Sequence, residues 1–151
     1  FQNHSLSRIV ETVINELQAA IDDKQLQLDF EKPDFPDQAW IDIEKIEQVV
    51  RNLLSNALKF SKPNGRIQFK IQNLNSDYQI TVSDEGFGIP EDEIDMIFDK
   101  FVQSTRTKTG AGGTGLGLSI CKRIVEDHKG SIMAVNNDRG GADLIFTIPK
   151  G

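Results

Sequence analysis

The sequence predicts an α+β fold in two layers, a sheet made of hairpins with helices laid against it, and three observations predict it. Alternating apolar and polar segments come in pairs, 67–72 with 79–84 and 132–135 with 142–148, as antiparallel hairpins do. Helical patterns separate the hairpins, an order that favours an α+β sandwich over a doubly wound parallel sheet. The chain has 151 residues, 38% of them apolar, which suits one core and is too little for two domains of ordinary size, so residues 1–151 are expected to form a single domain.

Each element follows from its own pattern. Ser5 or Ser7 can cap a leading helix whose apolar positions Ile9, Val10, Val13, Ile14, Leu17 and Ile21 share one face, an amphipathic helix expected to end near Asp23. Leu26, Leu28 and Phe30 alternate with Gln27 and Asp29 as a strand, Pro33 and Pro36 break the pattern, and a brief strand is expected at 39–41. Asp42 then caps a second helix with Ile43, Ile46, Val49, Val50, Leu53, Leu54, Ala57 and Phe60 toward the core, stopped by Lys62-Pro63-Asn64-Gly65. The hairpin turning at Asn75-Ser76-Asp77 alternates cleanly, so one face of its sheet should meet solvent. Pro90 with Glu91, Asp92 and Glu93 predicts the start of a short helix running to Phe101. A polar, Gly-rich stretch without periodicity follows at 103–114, and such a loop in a compact domain is functional or mobile. Leu116, Leu118, Ile120, Cys121, Ile124 and Val125 give a last helix closed by Gly130, and Asp138-Arg139-Gly140-Gly141 turns the final hairpin.

Composition removes several function classes. Lys and Arg total 17 against 23 Asp and Glu, a net charge of −6, opposite to the basic footprint that nucleic acid selects. A single cysteine, Cys121, forms no internal disulfide, and His4 and His128 supply no zinc spacing, so a reducing, cytoplasmic setting is expected. No apolar run approaches the ~20 residues that span a bilayer, and no signal peptide opens the chain, so no membrane contact by this domain is expected. The sequence begins at Phe1 rather than Met, as a processed or excised piece would.

Three segments carry chemistry. At about 100° per residue, Gln48, Asn52, Asn56 and Lys59 fall within an arc of about 80° on the flank of the second helix. Asparagine is disfavoured in helix interiors, so amides and an ammonium there suit a metal ion and phosphate oxygens, or make an ordinary solvated edge. Asp84 shares the parity of Ile80 and Val82, which turns its carboxylate to the covered face, where it needs a donor such as the exocyclic amine of a purine. Gly86 and Gly88 follow in Asp-Glu-Gly-Phe-Gly-Ile-Pro and allow close approach of a flat ligand, or form a tight turn capped by Asp84. Gly110-Ala111-Gly112-Gly113-Thr114-Gly115-Leu116-Gly117-Leu118-Ser119 runs into a helix N-terminus, where free amides favour an anion such as phosphate; glycine abundance alone also fits a linker. A literal G-x-G-x-x-G there follows a polar stretch rather than a strand, so it does not read as a dinucleotide fingerprint, and no P-loop pattern occurs.

Together these segments resemble the N, G1 and G2 boxes of the ATP-binding domain of bacterial sensor histidine kinases, within the GHKL superfamily of gyrase, a heat-shock chaperone and the mismatch-repair ATPases. Ile97-Phe98-Asp99-Lys100-Phe101 stands where the F box does, and the likeness runs from about Ser5 to Pro149. The resemblance implies the Bergerat ATP-binding fold, with a mixed, mostly antiparallel sheet and helices on one face. It implies ATP and Mg²⁺ as cofactors, with Asn56 as metal ligand, Asn52 holding phosphates and metal, and Lys59 on a phosphate; these three are the catalytic set. Asp84 matches the acid that binds the adenine amino group, Gly86 and Gly88 lie beneath the base, and Ile89, Phe60 and Phe98 line the pocket or anchor the lid. Residues 102–115 match the ATP lid, in which Arg106 and Lys108 reach toward the γ-phosphate; Gly113, Gly115 and Gly117 match the glycines that close over the phosphates, with Thr114, Leu116 and Leu118 in the same cofactor-binding set. Phe101-Val102-Gln103 is similar to the form seen in hybrid kinases.

The phosphoacceptor box of the family is absent, since His4 before Ser5-Leu6-Ser7 does not match and is expected as an exposed residue at the helix start. His128, near a helix C-terminus, is expected to serve the helix dipole. The implied activity is donation of the γ-phosphoryl group to a histidine on a separate dimerisation domain ending just before Phe1, with a response regulator downstream and a parent chain either soluble or anchored in the inner membrane. An anti-sigma-type serine kinase and an ATP-gated conformational switch are the alternatives within the superfamily.

Overall fold

The computed structural model describes residues 1–98 and 116–150. In chain order the elements are β1 (Gln2–Ser5), α1 (Leu6–Glu16), α2 (Gln18–Asp23), β2 (Gln27–Phe30), β3 (Gln38–Ile41), α3 (Ile43–Phe60), β4 (Arg66–Asn73), β5 (Asp77–Asp84), a 3-10 turn (Ile94–Met96), α4 (Leu116–Asp127), β6 (Ile132–Asn136) and β7 (Ala142–Pro149). The main sheet runs β2-β4-β5-β7-β6. Its β2–β4 pair is parallel and the other pairs are antiparallel, so the chain builds the expected mixed, mostly antiparallel sheet.

Strand alternation decides which side chains the helices cover. Ile67 and Phe69 of β4, Ile80 and Val82 of β5, and Leu144, Phe146 and Ile148 of β7 are buried. They share one core with Ile46, Val49, Val50, Leu53 and Leu54 of α3, and each such side chain contributes about 1.5–3 kcal/mol by leaving water. Helix α3 starts where Asp42 accepts the Lys45 N–H at 3.3 Å, as an N-cap acid should. Helix α1 lies across it, joined by a bidentate pair in which Arg51 donates to both Glu16 oxygens at 2.8 and 3.0 Å. That guanidinium holds the exposed Glu16 carboxyl below its usual range.

The structure corrects several expectations. The leading helix over residues 1–23 is instead a strand followed by two helices. Residues 2–5 pair antiparallel with β3 in a separate two-stranded sheet, which places His4 in a strand opposite Ala39 rather than at a helix start. Ser5 caps α1, and the helix breaks at Leu17, whose N–H is shared between the carbonyls of Val13 and Ile14. The short helix expected from Pro90 is a turn and a 3-10 segment, because its amides bond three residues back, Glu93 to Pro90 and Met96 to Glu93, each at 2.9 Å. Strand β5 is central, so Thr81 and Ser83 on its outer face are buried too. At the end of α4 the left-handed residue is Lys129, at φ 64°, while Gly130 is needed because a Cβ there would collide with the Thr147 carbonyl.

Candidate functional site

Helix α3 organises the site, because its flank faces α4 and its C-terminal end meets the turn that follows β5. Gln48, Asn52 and Asn56 are half-buried along that flank and Lys59 is exposed. The Asn52 amide donates to the Gly117 carbonyl in the first turn of α4 at 3.3 Å. At the other end, Ser61 makes a bridge with Gly86, and Phe60 is buried. Asn52 and Phe60 stand about 12 Å apart along the helix at about 1.5 Å per residue, a span suited to an elongated ligand.

Asp84 points inward as its parity requires, with 2% of its surface exposed. Its Oδ1 accepts the N–H of Gly86 at 3.0 Å and of Ala142 at 3.1 Å, so the acid caps its own turn and ties β5 to β7. Gly86 and Gly88 have reasons within the protein. A Cβ on Gly86 would collide with the Phe60 carbonyl, and Gly88 has φ 72°, a left-handed conformation that L side chains resist. Ile89, which follows this turn, is buried, as is Phe98.

Helix α4 begins at Leu116, so Gly117 and Leu118 lie in its first turn. Gly113, Thr114, Gly115, Arg106 and Lys108 lie outside the described residues, as do Phe101 and the rest of the predicted lid.

Four contributors carry no local signal in the sequence. Lys24, after α2, donates to the carbonyls of Leu58 at 2.6 Å and Lys59 at 3.3 Å, closing the C-terminal end of α3 with a cation. Burial pulls its ammonium below the usual lysine range, and the charge of Asp84 opposes that shift. The Ser61 hydroxyl is buried next to Gly86, with no hydrogen-bond partner among the described residues. Asn136 and Asn137, just before the turn of the last hairpin, bond to Ile89 and Asp84. These contacts span long stretches of chain, and no short-range pattern announces them.

Two side chains outside this set have structural work. His128 accepts the Asp42 N–H on Nε2 at 3.1 Å, and its Nδ1 lies 2.8 Å from the Ile124 carbonyl. These two contacts tie the ring to the start of α3 and to the last turn of α4. Burial pushes the Cys121 thiol up to about 12, with an opposing hydrogen bond from Asn52, so it is no nucleophile at neutral pH.

The arrangement suits an adenine nucleotide and a magnesium ion on chemical grounds. An inward carboxylate accepts an exocyclic amine, the buried Ser61 hydroxyl next to Gly86 offers a further hydrogen bond, and the Asn56 and Asn52 amides lead along α3 from the Lys59 ammonium toward the first turn of α4 for phosphates. Among the described residues no group of three or more His, Cys, Asp and Glu could hold a metal ion. The donor set at α3 is amide oxygen, which fits Mg²⁺ held through few protein ligands together with phosphate oxygens and water.

Comparison with known proteins gives matching results. Residues 41–151 match the family model described as histidine kinase-, DNA gyrase B-, and HSP90-like ATPase. The chain is 36% identical over 149 residues to the adaptive-response sensory kinase SasA of Prochlorococcus marinus (strain MIT 9303), covering 98% of this chain and 40% of that protein. It is 42% identical over 113 residues to the sensor histidine kinase WalK of Bacillus subtilis (strain 168), covering 72% of this chain and 18% of WalK. The chain thus spans less than half the length of these relatives. Among solved structures, the catalytic domain of the histidine kinase ThkA superposes with a TM-score of 0.87 at 33% identity, covering 99% of this chain and 95% of that one. A structure of ThkA in complex with the response regulator protein TrrA matches at a TM-score of 0.85 and 30% identity, covering all of this chain, 100%, and 42% of ThkA.

Proposed function

Because this chain belongs to the histidine kinase-, DNA gyrase B-, and HSP90-like ATPase family, we propose that it is the catalytic domain of a sensor histidine kinase. It binds Mg-ATP and donates the γ-phosphoryl group to a histidine on a separate helical dimerisation domain, from which a response regulator is phosphorylated. The observation that carries the proposal is the buried acid Asp84 at the C-terminal end of α3, with Lys59 in the last turn of that helix and Asn56 and Asn52 following along the same flank toward the start of α4.

Phosphoryl transfer through a loose transition state demands positioning and charge neutralisation more than covalent help from the protein. Asp84 accepts the adenine amine while its Oδ1 keeps the Gly86 and Ala142 amides in place. Asn52 and Lys59 orient phosphates, and Asn56 holds the metal. When bound, Mg²⁺ neutralises the charge that develops on the β- and γ-phosphates. The first turn of α4 offers backbone N–H groups to the same anion, and the Asn52–Gly117 bond sets that turn against α3. Phe60 and Phe98 exclude water from the base end. The family resemblance assigns Arg106, Lys108, Gly113, Thr114 and Gly115 of the predicted lid to the phosphates, together with Leu116, Gly117 and Leu118 in the first turn of α4. Ile89, Gly86 and Gly88 shape the floor under the base. A site of this kind belongs in the cytoplasm, where ATP is supplied.

The test adds labelled ATP and this chain to a helical dimerisation domain of a related kinase. Acid-labile, base-stable label on histidine is the expected result. Label on serine, or ATP-dependent dimerisation without label, overturns it.

A further inference from the structure

Past Asp84, which ends β5 opposite Ile67, the segment to Ile89 has among the described residues only the Ser61–Gly86 bridge, yet it must hold a carboxylate in one orientation. The β6–β7 hairpin holds it from the other side. The Asn136 side chain pairs reciprocally with the backbone of Ile89, Oδ1 accepting the N–H and Nδ2 donating to the carbonyl, both at 2.7 Å. A primary amide here does what a neighbouring strand would do. Asn137 donates from Nδ2 to the Asp84 carbonyl at 3.0 Å and to Asp143 Oδ1 at 3.0 Å, while its Oδ1 accepts the N–H groups of Arg139 and Gly141. Two adjacent amides therefore fix both ends of the segment. Gly88 lies between them, in a conformation with φ 72° that needs external support, and a Cβ there would meet Asn136 Oδ1 at 3.2 Å.

Asn136 is exposed, so its bonds add little to global stability, and both go to Ile89, five residues after the buried acid. We propose that Asn136 and Asn137 are positioning residues for base recognition, holding Asp84 where it meets an exocyclic amine and rejects a carbonyl in its place. The proposal rests on the nucleotide reading above.

Affinities of the chain for Mg-ATP and Mg-ITP test it, since inosine carries a carbonyl where adenine carries the amine. The wild-type chain prefers ATP. Asn136→Ala weakens ATP roughly three- to tenfold, the scale of one or two hydrogen bonds, and leaves ITP nearly unchanged, so the preference shrinks. Asn137→Ala shifts the preference the same way, and Asp138→Ala on the same turn leaves it intact. The unfolding midpoint of apo Asn136→Ala stays at the wild-type value, which keeps the test independent of whether Asn137→Ala folds. Equal losses for both nucleotides, or no loss for either, in a chain whose wild type prefers ATP, overturn the positioning role. A wild type that binds neither nucleotide overturns the nucleotide reading itself, and this proposal with it.

Discussion

At the scale of single residues, the central acid does two jobs that substitutions separate. Asp84→Asn keeps an oxygen for the Gly86 and Ala142 amides, so its apo form should unfold close to wild type. Asp84→Ala strands two buried N–H groups and should cost about 2–4 kcal/mol in denaturant titration. Ser61→Ala removes a buried hydroxyl that bonds to nothing among the described residues, so apo stability should hold or rise, whereas a fall would mean that the hydroxyl has a partner in the apo protein. Cys121 sets an alkaline limit. Burial raises its folded value from 9.0 to about 12, so its contribution to stability is complete below 9.0 and is lost as pH rises from there toward 12. Cys121→Ala should flatten that part of the stability–pH profile. The inward turn of Asp84 was legible because strand parity is a period of two read from Ile80 and Val82. The contacts of Lys24 with Leu58, of Asn136 with Ile89 and of Asn137 with Asp84 were not, since each joins residues 34 or more apart in the chain.

At the scale of elements, legibility followed the length of the periodic signal. Helix α3, with seven buried positions over 18 residues, was readable from its first cap to Phe60. Strand β1 was not, because Gln2-Asn3-His4-Ser5 is polar throughout and becomes a strand only by pairing with β3. The 3-10 turn at Ile94–Met96 is too short for period to decide between bonds three and four residues back. The end of α4 yields a prediction of opposite signs at neighbouring positions. Lys129→Gly relieves a left-handed lysine and should stabilise by up to about 1 kcal/mol. Gly130→Ala should destabilise by several times as much, because its Cβ meets the Thr147 carbonyl. Thermal unfolding of the two variants checks the pair; a stable Gly130→Ala would contradict the packing of α4 on β7.

At the scale of the whole molecule, the two-layer architecture was legible because hairpin alternation and helix period both point their apolar sides to one core. The small β1–β3 sheet beside it was not, being a product of tertiary pairing. The architecture matters to function by bringing three distant segments onto α3: the β5 turn at Ser61, the start of α4 at Asn52, and Lys24 at the Leu58 and Lys59 carbonyls. The account stands on one cleft that takes an adenine nucleotide through Asp84. Titration calorimetry of the folded chain with Mg-ATP tests this most directly, run beside Asp84→Asn after both are shown to unfold at similar temperatures. The account predicts saturable heat for the wild type and none for the variant; silence from the wild type, or equal binding by the variant, would contradict it.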